Sequence, residues 1–120
     1  ISGNVSTNNG DTLTLKLTNG GTLAEFIVQL TSASNEFFEL EADFSIMVRG
    51  GPGTAKISTN FDFTYSDSGA TSWRGKRICV VNNTTFSTEV SNTLDITAQW
   101  SSINSNNSIQ CQQAILTRTY

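Results

Sequence analysis

The sequence predicts an all-β fold, an antiparallel β-sandwich of seven or eight strands, and three observations carry that expectation. Apolar residues recur at every second position in most of the runs that hold them, the period of a half-buried strand. Clusters of Gly, Asn, Ser and Asp interrupt these runs at short, regular spacing, as turns do. No stretch keeps the 3.6-residue apolar period of a helix.

The elements follow in order. Residues 1–10, ISGNVSTNNG, are polar with two glycines and read as a linker or N-terminal arm, leaving 11–120 as the single domain. DTLTLKL alternates strictly, with Leu13, Leu15 and Leu17 on one face. Asn19, Gly20 and Gly21 form a hairpin signal. LAEFIVQL then puts Ala24, Phe26, Val28 and Leu30 together. FFELEADFSIMVRG is the longest alternating run: Phe38, Leu40, Ala42, Phe44, Ile46 and Val48 face inward, and Glu39, Glu41, Asp43 and Ser45 outward. A helix would set Glu39 and Asp43 side by side instead. GGPG, which holds the chain's one proline, turns this run into TAKISTNFDFTY and completes a long hairpin. Residues 66–76 are expected as a polar loop, RICVV as a short strand buried on both faces, and NNTTFSTEVS as irregular chain around Phe86. TLDITAQW alternates again and turns Trp100 inward. In the final run IQCQQAILTRTY the apolar parity changes after Cys111, which predicts a bulge near Gln112 and Gln113.

Composition narrows the function classes. Ser, Thr and Asn together number 44, while charged residues make up only 14% of the 120 residues. Such a surface suits an extracellular or virion-surface β-protein with threonine-rich strand faces. A net charge of −3 offers no general attraction to nucleic acid or to an anionic membrane. No apolar run reaches the roughly 20 residues of a membrane helix. The opening without methionine reads as a piece of a longer or processed protein. Cys79 and Cys111 read as two buried thiols, with a disulfide as the alternative if their strands are neighbours.

Histidine is absent, so neither a Ser-His-Asp nor a Cys-His nucleophile can be assembled, and no cofactor motif occurs. Glu39, Glu41 and Asp43 stand in a row about 7 Å apart by strand rise, as a solvated acidic face does, rather than across a cleft. An enzyme is therefore not expected, nor a metal site. Trp73, Arg74 and Asp67 share the expected 66–76 loop and form the candidate ligand site: an aromatic to stack on a sugar ring, with a cation and a carboxylate for its hydroxyls. Glycosylation acceptor triplets occur at Asn4, Asn82, Asn83 and Asn106, several of which chance alone supplies in such a chain.

Residues 37–67 and 82–120 resemble the C-terminal head domains of fibre-like and collagen-like structural proteins of large DNA viruses and phages. The resemblance rests on an F-x-T-x-x-x-N-x-L-x-I-x-A-Q-W strand, here Phe86, Thr88, Asn92, Leu94, Ile96, Ala98, Gln99 and Trp100, then a Ser/Asn loop and a closing strand. It implies a jelly roll similar to those of C1q and tumour necrosis factor, assembled as a homotrimer. It further implies a last strand pinned beside the first up to Tyr120, with Phe37, Trp100, Gln112 and Tyr120 as candidate trimer contacts. The function expected is a non-enzymatic head on the virion surface that attaches to a host surface glycan. The alternatives are a purely structural trimerisation or capsid domain and a cellular lectin-like module.

Overall fold

Eight antiparallel strands make up this computed structural model, which describes residues 1–7, 11–31, 33–67 and 72–118. They are β1 (Ser2–Thr7), β2 (Thr12–Thr18), β3 (Thr22–Gln29), β4 (Ala33–Val48), β5 (Lys56–Asp67), β6 (Ser72–Asn82), β7 (Asp95–Trp100) and β8 (Ser108–Gln113). No described residue is helical. The strands form two sheets: five in the order β6-β5-β4-β1-β8 and three in the order β3-β2-β7.

The alternation read from the sequence becomes the core between the sheets. Leu13, Leu15 and Leu17 of β2 and Phe26 and Val28 of β3 meet Phe38 and Leu40 of β4 and Ile57, Phe61 and Phe63 of β5, all nearly fully buried. Phe38 and Phe63 stack with ring centroids 5.6 Å apart. At one side the sandwich is laced shut by Lys76 of β6, whose ammonium donates to the Ile27 carbonyl at 2.9 Å and lies 5.7 Å from the Phe26 ring centroid. Such a long cationic side chain covers apolar surface while its head stays wet.

Residues 2–7, expected as an arm, are a strand between β4 and β8. The alternation there was hidden because the inward positions are Gly3, Val5 and Thr7, only one of them large and apolar. Gly3 is required: a Cβ on it would lie 1.8 Å from the Gln110 carbonyl oxygen. The predicted bulge is present at Gln112, since Gly3 pairs with Cys111 and Ser2 with Gln113.

Other expectations change. β5 runs to Asp67 and β6 starts at Ser72, so Ser66, Asp67 and residues 72–76 of the expected loop lie in strands. Polar side chains misled the reading because this hairpin is long and faces water. RICVV is the end of an edge strand with Cys79 and Val81 exposed, not a strand covered on both faces. Both thiols are free and exposed. They stand on opposite edges of the large sheet, about 19 Å apart by strand spacing, far beyond disulfide reach. β8 ends at Gln113, and residues 114–118 continue outside any ladder. Tyr120 lies outside the described residues.

The segment around Phe86 is architectural. Asn82 Oδ1 accepts from the backbone N–H groups of Thr84, Thr85 and Phe86 at 3.1–3.3 Å, turning the chain so that Phe86 enters the core. Thr88 clamps the GGPG turn: its N–H donates to the Gly50 carbonyl and its Oγ1 accepts from the Gly50 N–H, both at 2.9 Å. Asn92 Nδ2 donates to the Ser87 carbonyl at 2.8 Å, and Asn92 Oδ1 accepts from Asn19 Nδ2 at 2.8 Å, tying this segment to the β2–β3 turn.

Candidate functional site

Antiparallel register arranges the outer face of the large sheet in rows across the strands. Asn4 of β1 pairs with Phe37 of β4, and Ser66 of β5 pairs with Trp73 of β6. The next rows are Glu39–Thr64–Gly75, Glu41–Asp62–Arg77 and Asp43–Asn60–Cys79. Rows are about 7 Å apart and strands about 4.8 Å.

Trp73 dominates the first row. Its indole is 54% exposed and meets the Phe37 ring edge-on, with centroids 6.0 Å apart at 88°. Phe37 itself is 38% exposed. The two rings roof Ser66, which is almost fully buried. Ser66 Oγ donates to Glu36 Oε2 at 2.8 Å and accepts from the Phe37 N–H at 3.2 Å, holding the end of β4 in place. At the other end of the row, Gln112 Nε2 donates to Asn4 Oδ1. Beside Trp73 the floor is kept low by Gly75, where a Cβ would stand 2.6 Å from the Phe63 carbonyl oxygen and 2.7 Å from Thr64 Cγ2.

The third row is electrostatic. Arg77 forms an ion pair and hydrogen bond with Asp62. That hydrogen bond, then the charges of Asp62 and Glu41, hold the guanidinium above its ordinary range, so it stays cationic at every accessible pH. Arg77 offsets one acid, and Glu39, Glu41 and Asp43 leave the face anionic. No group of three or more described acids and cysteines is placed to hold a metal ion.

No protein-family model, curated protein or solved structure matches this chain.

Trp73 and Arg74 are thus strand neighbours, not loop neighbours, and they project from opposite faces of the sheet. Arg74 pairs with Tyr65 on the inward side and cannot join Trp73 over one ligand. Asp67 pairs with Ser72 through its backbone, and its side chain lies outside the described residues. The residues that do stand with Trp73 are Phe37, Glu39 and Thr64. Sequence reasoning named Phe37 for another role; register with Ser66 and Trp73 was the signal, and it needs the hairpin to be recognised first. Three of the expected trimer contacts are among the described residues. Phe37 and Gln112 lie on the outer face of the large sheet, whereas Trp100 is half-buried on the edge strand β7 of the small one.

Proposed function

We propose that this chain is a non-enzymatic head domain displayed on a virion or phage surface, and that it attaches to host glycans through the outer face of its five-stranded sheet. The observation that carries this reading is the half-exposed Trp73, met edge-on by Phe37 on a face that also carries carboxylates, amides, hydroxyls and the Arg77 guanidinium. Apolar C–H faces of a sugar stack on an aromatic ring, and its hydroxyls donate to carboxylates and exchange hydrogen bonds with amides. An open face gives weak single sites, about −4 to −8 kcal/mol for millimolar to micromolar binding. Repetition on a trimer then supplies avidity. The acidic rows select neutral sugars, because they repel sialylated or sulfated glycans.

The finer architecture belongs to the same proposal. A jelly roll of the C1q and tumour-necrosis-factor kind is supported by the two-sheet build and by the pairing of β1 with β8. The β4–β5–β6 meander departs from a winding that alternates between sheets. A receptor-blind structural domain is favoured by one observation: Phe86, Thr88 and Asn92, which carry the resemblance, all serve the fold.

Titration with neutral oligosaccharides, followed by tryptophan fluorescence, tests the attachment role. Trp73→Ala should weaken binding at least tenfold while leaving the melting temperature within a few degrees. Wild-type-like binding by that variant, or no binding to any neutral glycan of a broad array, would sink the reading in favour of the structural one.

A further inference from the structure

Asn19 and Gly20 stand in the turn between β2 and β3. Asparagine is a thermolabile residue, because the next backbone nitrogen can attack its side-chain amide. A following glycine leaves that approach clear, having no Cβ. Here the approach is open on every count. Gly20 is exposed, has φ of +93°, and would meet nothing within 4 Å even if it carried a Cβ. No hydrogen bond among the described residues holds its N–H. The nucleophile is therefore free, and water reaches the site.

One contact restrains the side chain. Asn92 Nδ2 donates to the Ser87 carbonyl at 2.8 Å and to the Val90 carbonyl at 3.0 Å, which uses both of its protons. Asn92 Oδ1 therefore faces Asn19, and only a donor can meet it there. Asn19 Nδ2 is that donor, at 2.8 Å. The bond holds the Asn19 carboxamide in one orientation, and the nitrogen that makes it is the one that ring closure would expel.

We propose that Asn19 is a site of spontaneous deamidation restrained by Asn92, and that its conversion unties the 87–92 segment from the β2–β3 turn. The Gly20 backbone nitrogen attacks Asn19 Cγ and loses its proton as the new C–N bond forms. The Cγ–Nδ2 bond breaks, and Nδ2 leaves as ammonia. Water then opens the succinimide at either carbonyl, giving aspartate or isoaspartate, with no change of oxidation state. Both products place a carboxylate, which only accepts, opposite Asn92 Oδ1, which also only accepts. Asn92 cannot turn over to donate without giving up the Ser87 and Val90 carbonyls. Isoaspartate further routes the backbone through the side chain and lengthens the turn by one atom. The freed segment includes Thr88, whose N–H donates to the Gly50 carbonyl at 2.9 Å, so the change reaches the turn between β4 and β5. None of this rests on the glycan-binding reading.

Peptide mapping by mass spectrometry tests it on the whole chain kept warm at mildly alkaline pH, with Asn19 read apart from Asn9, the other asparagine that precedes a glycine. Folded wild type should convert at Asn19 at least tenfold more slowly than the same chain unfolded in urea. Asn92→Ala should speed conversion at least fivefold while the amides of β5 keep their protection from hydrogen exchange. Asn19→Asp should raise the exchange rate of the Thr88 N–H at least tenfold, with β5 again unchanged. No conversion at Asn19 in the unfolded chain overturns the site itself. Equal rates in folded and unfolded wild type, or in wild type and Asn92→Ala, overturn the restraint. Unchanged exchange at Thr88 in Asn19→Asp overturns the release of the segment.

Discussion

Thr59 shows how a single buried atom can be a cost. Its side chain faces the core from β5, almost fully buried, and its hydroxyl has no hydrogen-bond partner among the described residues. A buried polar group left unpaired costs about 1–3 kcal/mol, and valine fills nearly the same volume. Thr59→Val should therefore stabilise the protein by about 1–2 kcal/mol in urea unfolding; a loss of stability would mean that the hydroxyl is satisfied. Asn82 is the opposite case, since its Oδ1 accepts from three consecutive backbone N–H groups. Asn82→Ala leaves the Phe86 turn without that organiser, and the midpoint should fall by the equivalent of about 1–3 kcal/mol. Gly75→Ala should cost about 1–3 kcal/mol, because the new Cβ meets backbone oxygen rather than a side chain that can swing away. Neither Asn82 nor Gly75 announces its role in the sequence: one sits among many asparagines, the other between two basic residues of what reads as a loop.

At the level of elements, strands whose inward residues are large were legible, and strands built from small or polar ones were not. β2, β3, β4 and β5 carry Leu, Phe or Ile at alternate positions, so their existence, facing and hairpin turns all followed from the period of two. β1 did not, because Gly3 and Thr7 fill two of its three inward positions. The start of β6 did not either, since Trp73, Arg74, Gly75 and Lys76 give no alternation of polarity on an edge strand. That failure also displaced the candidate site, moving Trp73 from a loop to the outer face of an edge strand. The same limit applies to β7, where alternation predicted a buried Trp100 but the strand is an edge with its inner side half open. Trp100→Ala should accordingly cost about 2 kcal/mol, below the 3–5 kcal/mol of a fully buried tryptophan. Its indole N–H is buried without a partner among the described residues, so Trp100→Phe should come within about 1 kcal/mol of wild type. Equal losses from both substitutions would show that the N–H has a partner after all.

The whole molecule is a lopsided sandwich, five strands against three, and the imbalance sorts its surfaces. The covered part of the large sheet is the core, its outer face carries Trp73 and the acids, and Phe44, Ile46 and Val48 of β4 are left exposed. No element of the sequence states that imbalance, because it depends on which strands become neighbours. The position of β1 has a mechanical consequence. It is bonded on both sides, to β4 and to β8, and its first residues stand beside the last residues of β8. Pulling Ile1 and residue 118 apart would therefore open the β1–β8 ladder like a zip, one pair after another, at low force. Pulling Ile1 along the strand axis against an anchor on the outer face near Trp73 would load both ladders of β1 in shear, so that many hydrogen bonds must fail together. Single-molecule extension in the two geometries should separate them clearly. The fold thus resists load directed along the axis of β1 far better than load that parts Ile1 from residue 118.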